Sequence, residues 1–435
     1  MVNKYVKILL FPVVLSLVAA IIPSTIADGD MFWHLFVGGW ILSHGIPHTL
    51  IGSWTLPHAA WIDAEWGGEV LMFLISKIGG VALVSFFLPA LLLTLTYVYV
   101  DGKAKPLIVT LIVLMVGFIH FLNRPYMIAD ALYIVEFMLL RKAEVDKRWL
   151  FAIPLVVLVG ANINPEIILA PGILLLWMLF RKDFSKTAIY SLVLSALAIL
   201  AMPYPNGVIV YTLNTLAASG FIQEWGAPNL TSLSCIPALA LFLYFVVSDW
   251  RKWPFEAAVA LGGFILLLHS IRFLDFFAVM SIPLMTKLLP DGAVGKSLVV
   301  TISTLFTIGL IGTLLVTWPE VKKGESVSYP VTAWSWIKEH KIPDQKIINY
   351  YGWGGWIIDH GGVAFIDGRS DVYYRHGVLG AYVAIQKASV DTPEIMRKYG
   401  ATCLLFPSSN NPEQYEDMGL RLIYKDSAAE ILCLK

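Results

Sequence analysis

The feature that most constrains this chain is a succession of long apolar runs, separated by short polar segments, through residues 1–318. A helix needs about 20 apolar residues to cross the hydrocarbon core of a bilayer. Several runs are nearer 15 residues, so we expect some helices to be tilted or to pair as re-entrant segments. The pattern predicts a polytopic α-helical membrane protein with about 11 transmembrane helices. The apolar runs cover 6–27, 80–100, 107–122, 126–140, 149–161, 166–180, 187–203, 234–248, 255–270, 273–289 and 297–317.

The uneven distribution of charge divides the chain into two predicted domains. Residues 1–318 carry 35 of the 62 Asp, Glu, Lys and Arg side chains, whereas the much shorter segment 319–435 carries 27. Because soluble domains are about 25% charged, we predict a transmembrane domain over 1–318 and a soluble extracytoplasmic domain over 319–435. The formal net charge is zero, which excludes a general basic surface for nucleic acid and leaves the lipid bilayer as the expected surroundings.

The positions of lysine and arginine predict the orientation. If the spans alternate from a cytoplasmic N-terminus, 15 of the 18 Lys and Arg residues in 1–318 fall in inner loops. Positive residues favour the cytoplasmic side, so we predict a multipass protein of the cytoplasmic membrane with an extracytoplasmic C-terminal domain. This alternation of inner and outer loops holds only if 67–79 does not cross the membrane. We interpret 67–79 as an interfacial helix, because its 13 residues rise only about 20 Å. A cleaved signal peptide is the alternative for the first run, but its length favours an uncleaved helix.

The cysteines indicate no disulfide framework. Cys235, Cys403 and Cys433 are too few for one, and their spacing matches no zinc site. Cys403 and Cys433 lie in two strand-like runs and would pair if those strands were neighbours. We expect free buried thiols instead.

The first outer loop, 28–66, contains acids but no Lys or Arg. Asp28 and Asp30 flank a glycine directly after an apolar span, at a depth where carboxylates are costly. Two carboxylates in this arrangement can share a divalent cation, or one can act as a general base. The alternative is a helix end capped by aspartate. Asp63 and Glu65 form a second acidic motif at the end of the same loop.

Further polar residues fall at the predicted outer ends of later spans. They are Arg124, Asn164, Glu166, Glu224 and Arg272. Ionisable groups in or beside a membrane mark functional paths, and guanidinium groups bind phosphate in a bidentate way. A phosphate site is therefore one interpretation, and internal pairing of the arginines with neighbouring carboxylates is the other.

Residues 330–435 mix helical and strand periodicity, as expected of a small α/β domain. Helices are predicted at 331–340, 378–386 and 393–399, and strands at 346–349, 363–366, 402–406, 422–424 and 430–434.

Two segments of this domain suggest a ligand. Residues 349–356 form a glycine- and tryptophan-rich turn, and Asp367 and Arg369 follow the strand predicted at 363–366. Residues at the carboxyl ends of strands often form sites. A sugar would use the aromatic faces together with the charged groups, whereas the alternative is a tight turn closed by an Asp–Arg pair.

Together these motifs resemble a large family of bacterial and archaeal multipass proteins. The family is grouped with the type C (GT-C) glycosyltransferases of the RgtA/B/C/D-like and dolichyl-phosphate-mannose protein mannosyltransferase kind. The resemblance covers nearly the whole chain. The matching segments are Asp28–Leu35, Trp61–Trp66, Asn123–Pro125, Asn162 with Asn164, Pro203–Gly207, Gln223–Trp225, Arg272, Tyr329-Pro330, Trp353–Gly355 and Ile366–Arg369.

The resemblance implies a transferase that takes a sugar from a polyprenyl-phosphate carrier at the outer face of the membrane. In this family an acidic residue of the first outer loop serves as base or metal ligand. The resemblance implies this role for Asp30, with Asp28 beside it. Glu65 is the third catalytic candidate, and Asp28 and Asp30 are the candidate ligands of a divalent cation. Ala64 stands where relatives often have histidine, and the C-terminal domain is compact, so the acceptor is left open. The predicted substrate-binding residues are His34, Asp63, Arg124, Asn164, Glu166, Glu224, Arg272, Asp367 and Arg369.

The predicted reaction is a single inverting displacement, in which a carboxylate deprotonates an acceptor hydroxyl and an arginine stabilises the departing phosphate. The partners are a polyprenyl-phosphate sugar and a glycan, lipid or protein acceptor. Two other functions suit the same scaffold. A lipid or solute transporter would use Asp130 and Glu136 in the fourth span, and a non-catalytic assembly protein would bind a glycan through 319–435.

Overall fold

A computed structural model of the chain describes residues 28–117, 120–204, 207–218, 220, 223–292, 301, 328–408 and 412–435. The predicted first span 6–27, with the signal-peptide alternative, lies outside the described residues, as does 297–317 apart from residue 301. The chain divides into two compact units. Of the described residues, the helical unit comprises those within 75–210 and 223–301, and the mixed unit comprises those within 28–74, 211–220 and 328–435.

Each of the nine predicted spans that fall among the described residues contains a helix, so these predictions of helix are confirmed. Apolar side chains on several of them face outwards, with Leu197 56% and Val247 84% exposed, as expected of helices that contact lipid. By length and composition, only Trp66–Tyr99 among the described helices suffices to cross a membrane. The number of spans therefore stays a prediction. The helices are Trp66–Tyr99, Lys105–Gly117, Tyr126–Ala143, Ile153–Ala161, Ala170–Arg181, Lys186–Ala198, Gly207–Ala218, Ile236–Val247, Pro254–His269 and Leu274–Leu288.

The long helix Trp66–Tyr99 is interrupted at Gly79 and Gly80. Gly80 has a φ of 66° and a ψ of −170°, a conformation that a residue with a Cβ rarely adopts. The break lies where the sequence predicts that a helix over 67–79 gives way to a span from 80. That boundary is confirmed, while the interfacial position of the first half stays a prediction.

Two segments that were interpreted as outer loops contain helices that were not predicted. Asp30–His44 lies in the first outer loop, 28–66. Gly207–Ala218 is helical, although the segment 204–233 was interpreted as an outer loop. The 12 residues rise only about 18 Å, so the segment is too short to register as a span despite its apolar character.

The C-terminal part of the mixed unit contains a four-stranded sheet. Its order is Ile347–Asn349, Cys403–Pro407, Ala429–Leu434 and Leu420–Lys425. The first pair is parallel and the other two pairs are antiparallel. The predicted α/β character is confirmed, and the helices are Val331–Glu339, Gly354–Asp359, Ser370–Arg375, Val378–Gln386, Thr392–Tyr399 and Pro412–Glu416.

The strand predicted at 363–366 is wrong, because this segment does not join the sheet. Ala364 instead forms an isolated bridge with Ser53 of the first loop. The amide of Ala364 donates to the carbonyl of Gly52, and the amide of Trp54 donates to the carbonyl of Ala364, at 2.9 and 3.0 Å. First-loop residues thus pack with C-terminal residues, and the packing boundary differs from the predicted division at residue 318. Which segments lie in the membrane stays a prediction.

The expectation of free thiols at Cys403 and Cys433 is wrong, because the two form a disulfide. They are directly opposite each other on adjacent antiparallel strands. This register could not be read from the sequence. Cys235 is free and buried, as expected.

Helix Asp30–His44 (α1) packs against helix Gly354–Asp359 through glycines. A Cβ on Gly29 would lie 2.1 Å from the carbonyl oxygen of Gly352, and one on Gly355 would lie 2.4 Å from that of Gly29. The two glycine motifs therefore allow two backbones to touch, which a side chain at either position would prevent.

Candidate functional site

Asp30 is the first residue of α1, and its amide donates to Oδ1 of the buried Asp28 at 3.3 Å. A carboxylate in this position is stabilised by the helix N-terminus. The Asp30 side chain rests on the backbone of Gly368, where a Cβ would lie 1.9 Å from Oδ1 of Asp30 and 2.8 Å from Nε1 of Trp33. The turn after residue 366 therefore fixes the place of the predicted base.

One turn further along α1, His34 is buried between acids from the other end of the first loop. Its Nδ1 lies 3.0 Å from Oε1 of Glu69, and its Nε2 lies 3.9 Å from Oε2 of Glu65. Asp63 contacts Glu69 and accepts a hydrogen bond from the amide of Glu65 at 3.2 Å. We call His34, Asp63, Glu65 and Glu69 the acid–imidazole cluster.

The acid–imidazole cluster contains three carboxyl groups and one imidazole, so acidic side chains outnumber basic ones. Burial raises the pKa of Asp63 to about 6, although its hydrogen bonds and the charge of Arg369 oppose this. A carboxyl with such a pKa exchanges its proton near neutral pH, which suits acid–base chemistry.

Asp367 and Arg369 form a buried ion pair at 2.6 Å. Asp367 also accepts from the hydroxyl of Tyr373 at 2.8 Å, and Arg369 donates to the carbonyl of Ile51 at 2.8 Å. The guanidinium lies over the rings of Trp33 and Trp61. Although burial opposes it, Asp367 raises the pKa of Arg369 above its usual range. The ion pair closes the turn at residues 367–369 and, through Arg369, joins this turn to the first loop. Direct contact of the pair with a sugar stays a prediction.

In the helical unit, four charged residues form one network. Arg272 binds Glu166 and Glu224 at 3.0 Å each. Arg124 binds Glu224 at 3.3 Å, and the Arg272 guanidinium lies 5.0 Å from the ring of Trp225. Burial opposes ionisation of Glu224, but the charges of Arg124 and Arg272 lower its pKa to about 2. We call Arg124, Glu166, Glu224 and Arg272 the arginine–glutamate network.

Asn164 positions one member of this network. Its side chain accepts a hydrogen bond from the amide of Glu166 at 2.9 Å and caps the 3₁₀ turn Pro165–Leu169. The hydroxyl of Tyr133 also donates to the carbonyl of Glu166. The internal pairing considered for the arginines is therefore present, and phosphate binding stays a prediction.

The predicted site residues fall into two groups, one in each unit. Asp28, Asp30, His34, Asp63, Glu65, Asp367 and Arg369 belong to the mixed unit, whereas Arg124, Asn164, Glu166, Glu224 and Arg272 belong to the helical unit. Their catalytic and binding roles stay predictions.

Sequence reasoning missed Glu69, which is fully buried and contacts His34. Its signal was the spacing of four residues from Glu65, which places two carboxylates on adjacent turns of one helical face. Among the described residues, the group of metal-type side chains whose ligand atoms converge is His34, Glu65 and Glu69. The pair predicted as metal ligands, Asp28 and Asp30, is not part of that group.

The chain is similar in fold, over nearly its whole length, to a solved structure, as expected for the polytopic GT-C-like fold predicted from the sequence. The solved structure of ArnT from Cupriavidus metallidurans, bound to undecaprenyl phosphate, matches it with a TM-score of 0.53 at 10% sequence identity. The match covers 99% of this chain and 98% of that one. No protein-family model and no curated protein matches the sequence. At this identity the likeness establishes the fold alone.

Proposed function

We propose that this protein is a membrane glycosyltransferase that transfers a sugar from a polyprenyl-phosphate donor to an acceptor at the outer face of the membrane. The observation that carries the proposal is the likeness over nearly the whole chain to a structure that holds undecaprenyl phosphate. The two charged groups of side chains add chemistry of the right type, since carboxylates activate hydroxyls and guanidinium groups bind phosphate.

The reaction is an inverting displacement. Asp30 accepts the proton of the acceptor hydroxyl, whose oxygen bonds to the anomeric carbon of the sugar. The bond from that carbon to the carrier phosphate breaks, and the electron pair leaves with the polyprenyl phosphate. Asp28 holds the helix end at Asp30, and Glu65, Asp63 and His34 line the acidic side of the reacting centre.

Phosphate recognition falls to Arg124 and Arg272. Both guanidinium groups are already balanced by Glu166 and Glu224, so a phosphate replaces part of that pairing. This exchange makes donor binding reversible, because the ion pairs between the carboxylates and the arginines form again when the carrier leaves. Asn164 keeps Glu166 in place for this return.

The orientation has support from two independent properties. The distribution of Lys and Arg favours a cytoplasmic N-terminus. The disulfide between Cys403 and Cys433 suits an oxidising compartment, because disulfides persist outside the cytoplasm. Both favour an extracytoplasmic C-terminal domain in a protein of the cytoplasmic membrane.

The test is the variant Asp30→Asn, which removes the base while keeping shape and hydrogen bonding. Purified protein in lipid vesicles is supplied with undecaprenyl-phosphate hexoses and a panel of glycan, lipid and peptide acceptors, and release of undecaprenyl phosphate is measured. We expect Asp30→Asn to lower turnover by about 10² to 10⁴. The matched control is Asp371→Asn, a buried aspartate in the same unit, which should keep wild-type turnover.

Wild-type turnover in Asp30→Asn would remove Asp30 from the mechanism. Binding of undecaprenyl phosphate with no turnover on any acceptor would instead favour a non-catalytic assembly protein.

A lipid or solute transporter is the second candidate. Asp130 and Glu136 are both at least 99% buried on helix Tyr126–Ala143. Asp130 contacts Asp275, and both carboxylate oxygens of Glu136 lack a hydrogen-bond partner. Acids at such positions often mark transport paths. Movement of a labelled polyprenyl lipid between leaflets of the same vesicles, without any acceptor, would favour this function.

A further inference from the structure

A cavity of about 180 Å³ lies in the helical unit, where helix Lys105–Gly117 begins and helices Tyr126–Ala143 and Ala170–Arg181 end. It is at the other end of these helices from the arginine–glutamate network, because Arg124 lies just before helix Tyr126–Ala143 whereas Arg141 lies in its last turn. Pockets for drug-sized ligands enclose about 300–1,000 Å³. The cavity therefore suits a small group, such as the headgroup of a lipid.

Four cationic side chains line this cavity. They are Lys105, Arg141, Arg181 and Lys287. Neither lysine forms an ion pair within the described part of the chain. Lys105 donates to the carbonyl of Thr286 at 3.1 Å, and the Lys287 ammonium lies 4.7 Å from the centre of the Trp253 ring. A lysine ammonium has three donors, so both lysines retain donors that a ligand can use.

The two arginines are paired, but the cavity as a whole is positive. Arg141 binds Asp101 at 2.8 Å, and the Asp101 side chain is 85% exposed, so this pair contributes little stability. Arg181 binds Glu144 at 2.8 Å and Glu256 at 3.0 Å. The three acids face four cations, which leaves one net positive charge for an anionic group.

Two other polar groups of the cavity wall are buried and unsatisfied. Trp177 is 1% and Glu256 3% exposed, and neither Nε1 of Trp177 nor Oε2 of Glu256 has a hydrogen-bond partner. Buried polar groups are nearly always satisfied. An indole nitrogen can only donate and a carboxylate can only accept. A ligand that satisfies both groups must therefore offer an acceptor as well as a donor.

This combination of groups selects a ligand with two opposite charges. A bare phosphate would bind to the lysines and to the indole N–H, but it would be repelled by Glu256. A phosphate ester that also carries a primary ammonium group meets all of these residues, because its N–H groups donate to the carboxylate. Phosphoethanolamine has this chemistry.

The surroundings of the cavity favour a lipid as the source of this group. Leu179 and Phe180, beside Arg181 in the last turns of their helix, are 50% and 40% exposed, and Trp149 is 41% exposed. Tryptophans concentrate where the headgroups of a bilayer meet water. Acyl chains could therefore contact the apolar helix surface while the headgroup enters the cavity.

We propose that this cavity binds the headgroup of phosphatidylethanolamine. The phosphate accepts hydrogen bonds from Lys105, Lys287 and the indole of Trp177, and the ammonium group donates to Glu256. The bound headgroup would join the ends of several helices of the unit. The inference does not depend on the proposed transferase function.

The test uses the full chain, purified in detergent micelles and stripped of lipid, with binding measured by native mass spectrometry. We expect phosphatidylethanolamine to bind at least about tenfold more tightly than phosphatidylcholine with the same acyl chains. The choline nitrogen carries the same charge but has no N–H group to donate to Glu256.

Two variants with matched controls locate the site. Glu256→Gln should remove most of the preference for ethanolamine, whereas Glu136→Gln, at an equally buried glutamate outside the cavity, should keep it. Lys105→Met should weaken binding of both lipids by a similar factor, whereas Lys103→Met, at an exposed lysine of the same loop, should not.

Equal affinity of the wild type for the two lipids would overturn the proposal, whether or not the variants fold. A preference that persists in folded Glu256→Gln would overturn it as well. Competition with glycerophosphoethanolamine separates the two sources of the headgroup. Displacement of the lipid only by a large excess supports a lipid ligand, whereas displacement at equal concentration would overturn the lipid in favour of a soluble phosphoethanolamine compound. None of these measurements reads sugar transfer, so their failure would leave the transferase function standing.

Discussion

The arginine–glutamate network and the acid–imidazole cluster both bury charged side chains, but the two differ in how far the buried charges are balanced. The network sets two guanidinium groups against two carboxylates, all directly bonded. The cluster assembles three carboxylates around one imidazole and draws on an arginine that is already engaged. A network whose positive and negative charges balance needs no ligand, and its ion pairs must break before it can bind one. An unbalanced set is incomplete and gains stability from whatever supplies the missing charge.

The largest effect is expected when the balanced set is broken. Arg272→Met removes the residue that joins Glu166 to Glu224 and leaves both acids partly buried with Arg124 as the remaining cation of the network. Breaking a buried pair costs about 3–5 kcal/mol. These side chains are 15–25% exposed, so we expect a loss of about 2–3 kcal/mol in unfolding free energy. Chemical denaturation in mixed micelles measures it. Adding Glu166→Gln to the variant should recover part of the loss, and its failure to do so would contradict a balanced network.

A second prediction compares the same substitution in the two sets. Glu166→Gln should lower the unfolding free energy by about 1–2 kcal/mol, because Arg272 loses a charged partner. Glu69→Gln should raise it by about 1 kcal/mol, because burial and the neighbouring acids raise the pKa of Glu69, and the amide needs no proton to be buried. Thermal and chemical unfolding of the two single variants beside the wild type give the signs. Equal destabilisation by both would mean that Glu69 acts as an ordinary hydrogen-bonded core residue.

A smaller effect, dependent on pH, is expected at Asp371, a further acid of the mixed unit. Burial raises its pKa to about 6, although Arg375 opposes this. The folded state therefore binds this proton more tightly than the unfolded chain does, so the stabilisation is present below about pH 4 and is lost as pH rises through about 6. Asp371→Asn should be neutral at low pH and gain about 1–2 kcal/mol at pH 8, a figure below the full shift because Arg375 loses its partner. A gain that does not change between pH 4.5 and pH 8 would contradict a raised pKa.

Much of the fold could be predicted from local patterns. The apolar runs locate nine of the described helices, and the boundary at Gly79 and Gly80 lies where the run from residue 80 was predicted to begin. The helix at 378–386 was predicted at its observed bounds. Local signals suffice in these cases because helix formation depends on residues within a few positions of one another.

The rest depended on partners that are distant in sequence. The segment 363–366 has the composition of a strand, but its Ala364 bonds to Gly52 and Trp54 instead of to a strand of the sheet. The disulfide required a register between two strands, and Glu69 became a candidate ligand only because α1 brings His34 beside it. Periodicity within a segment carries no information about which distant segment it meets.

The glycine contacts between α1 and helix Gly354–Asp359 have a practical consequence. Since Gly29 touches the backbone of Gly352 and Gly355 touches that of Gly29, a fragment that stops near residue 318 would leave the hydrophobic face of α1, with Phe32 and Trp33, open to water. Such a truncated chain should aggregate, and neither half should be recoverable alone. Co-expression of the two pieces, by contrast, should allow them to associate, because each supplies the surface that the other buries.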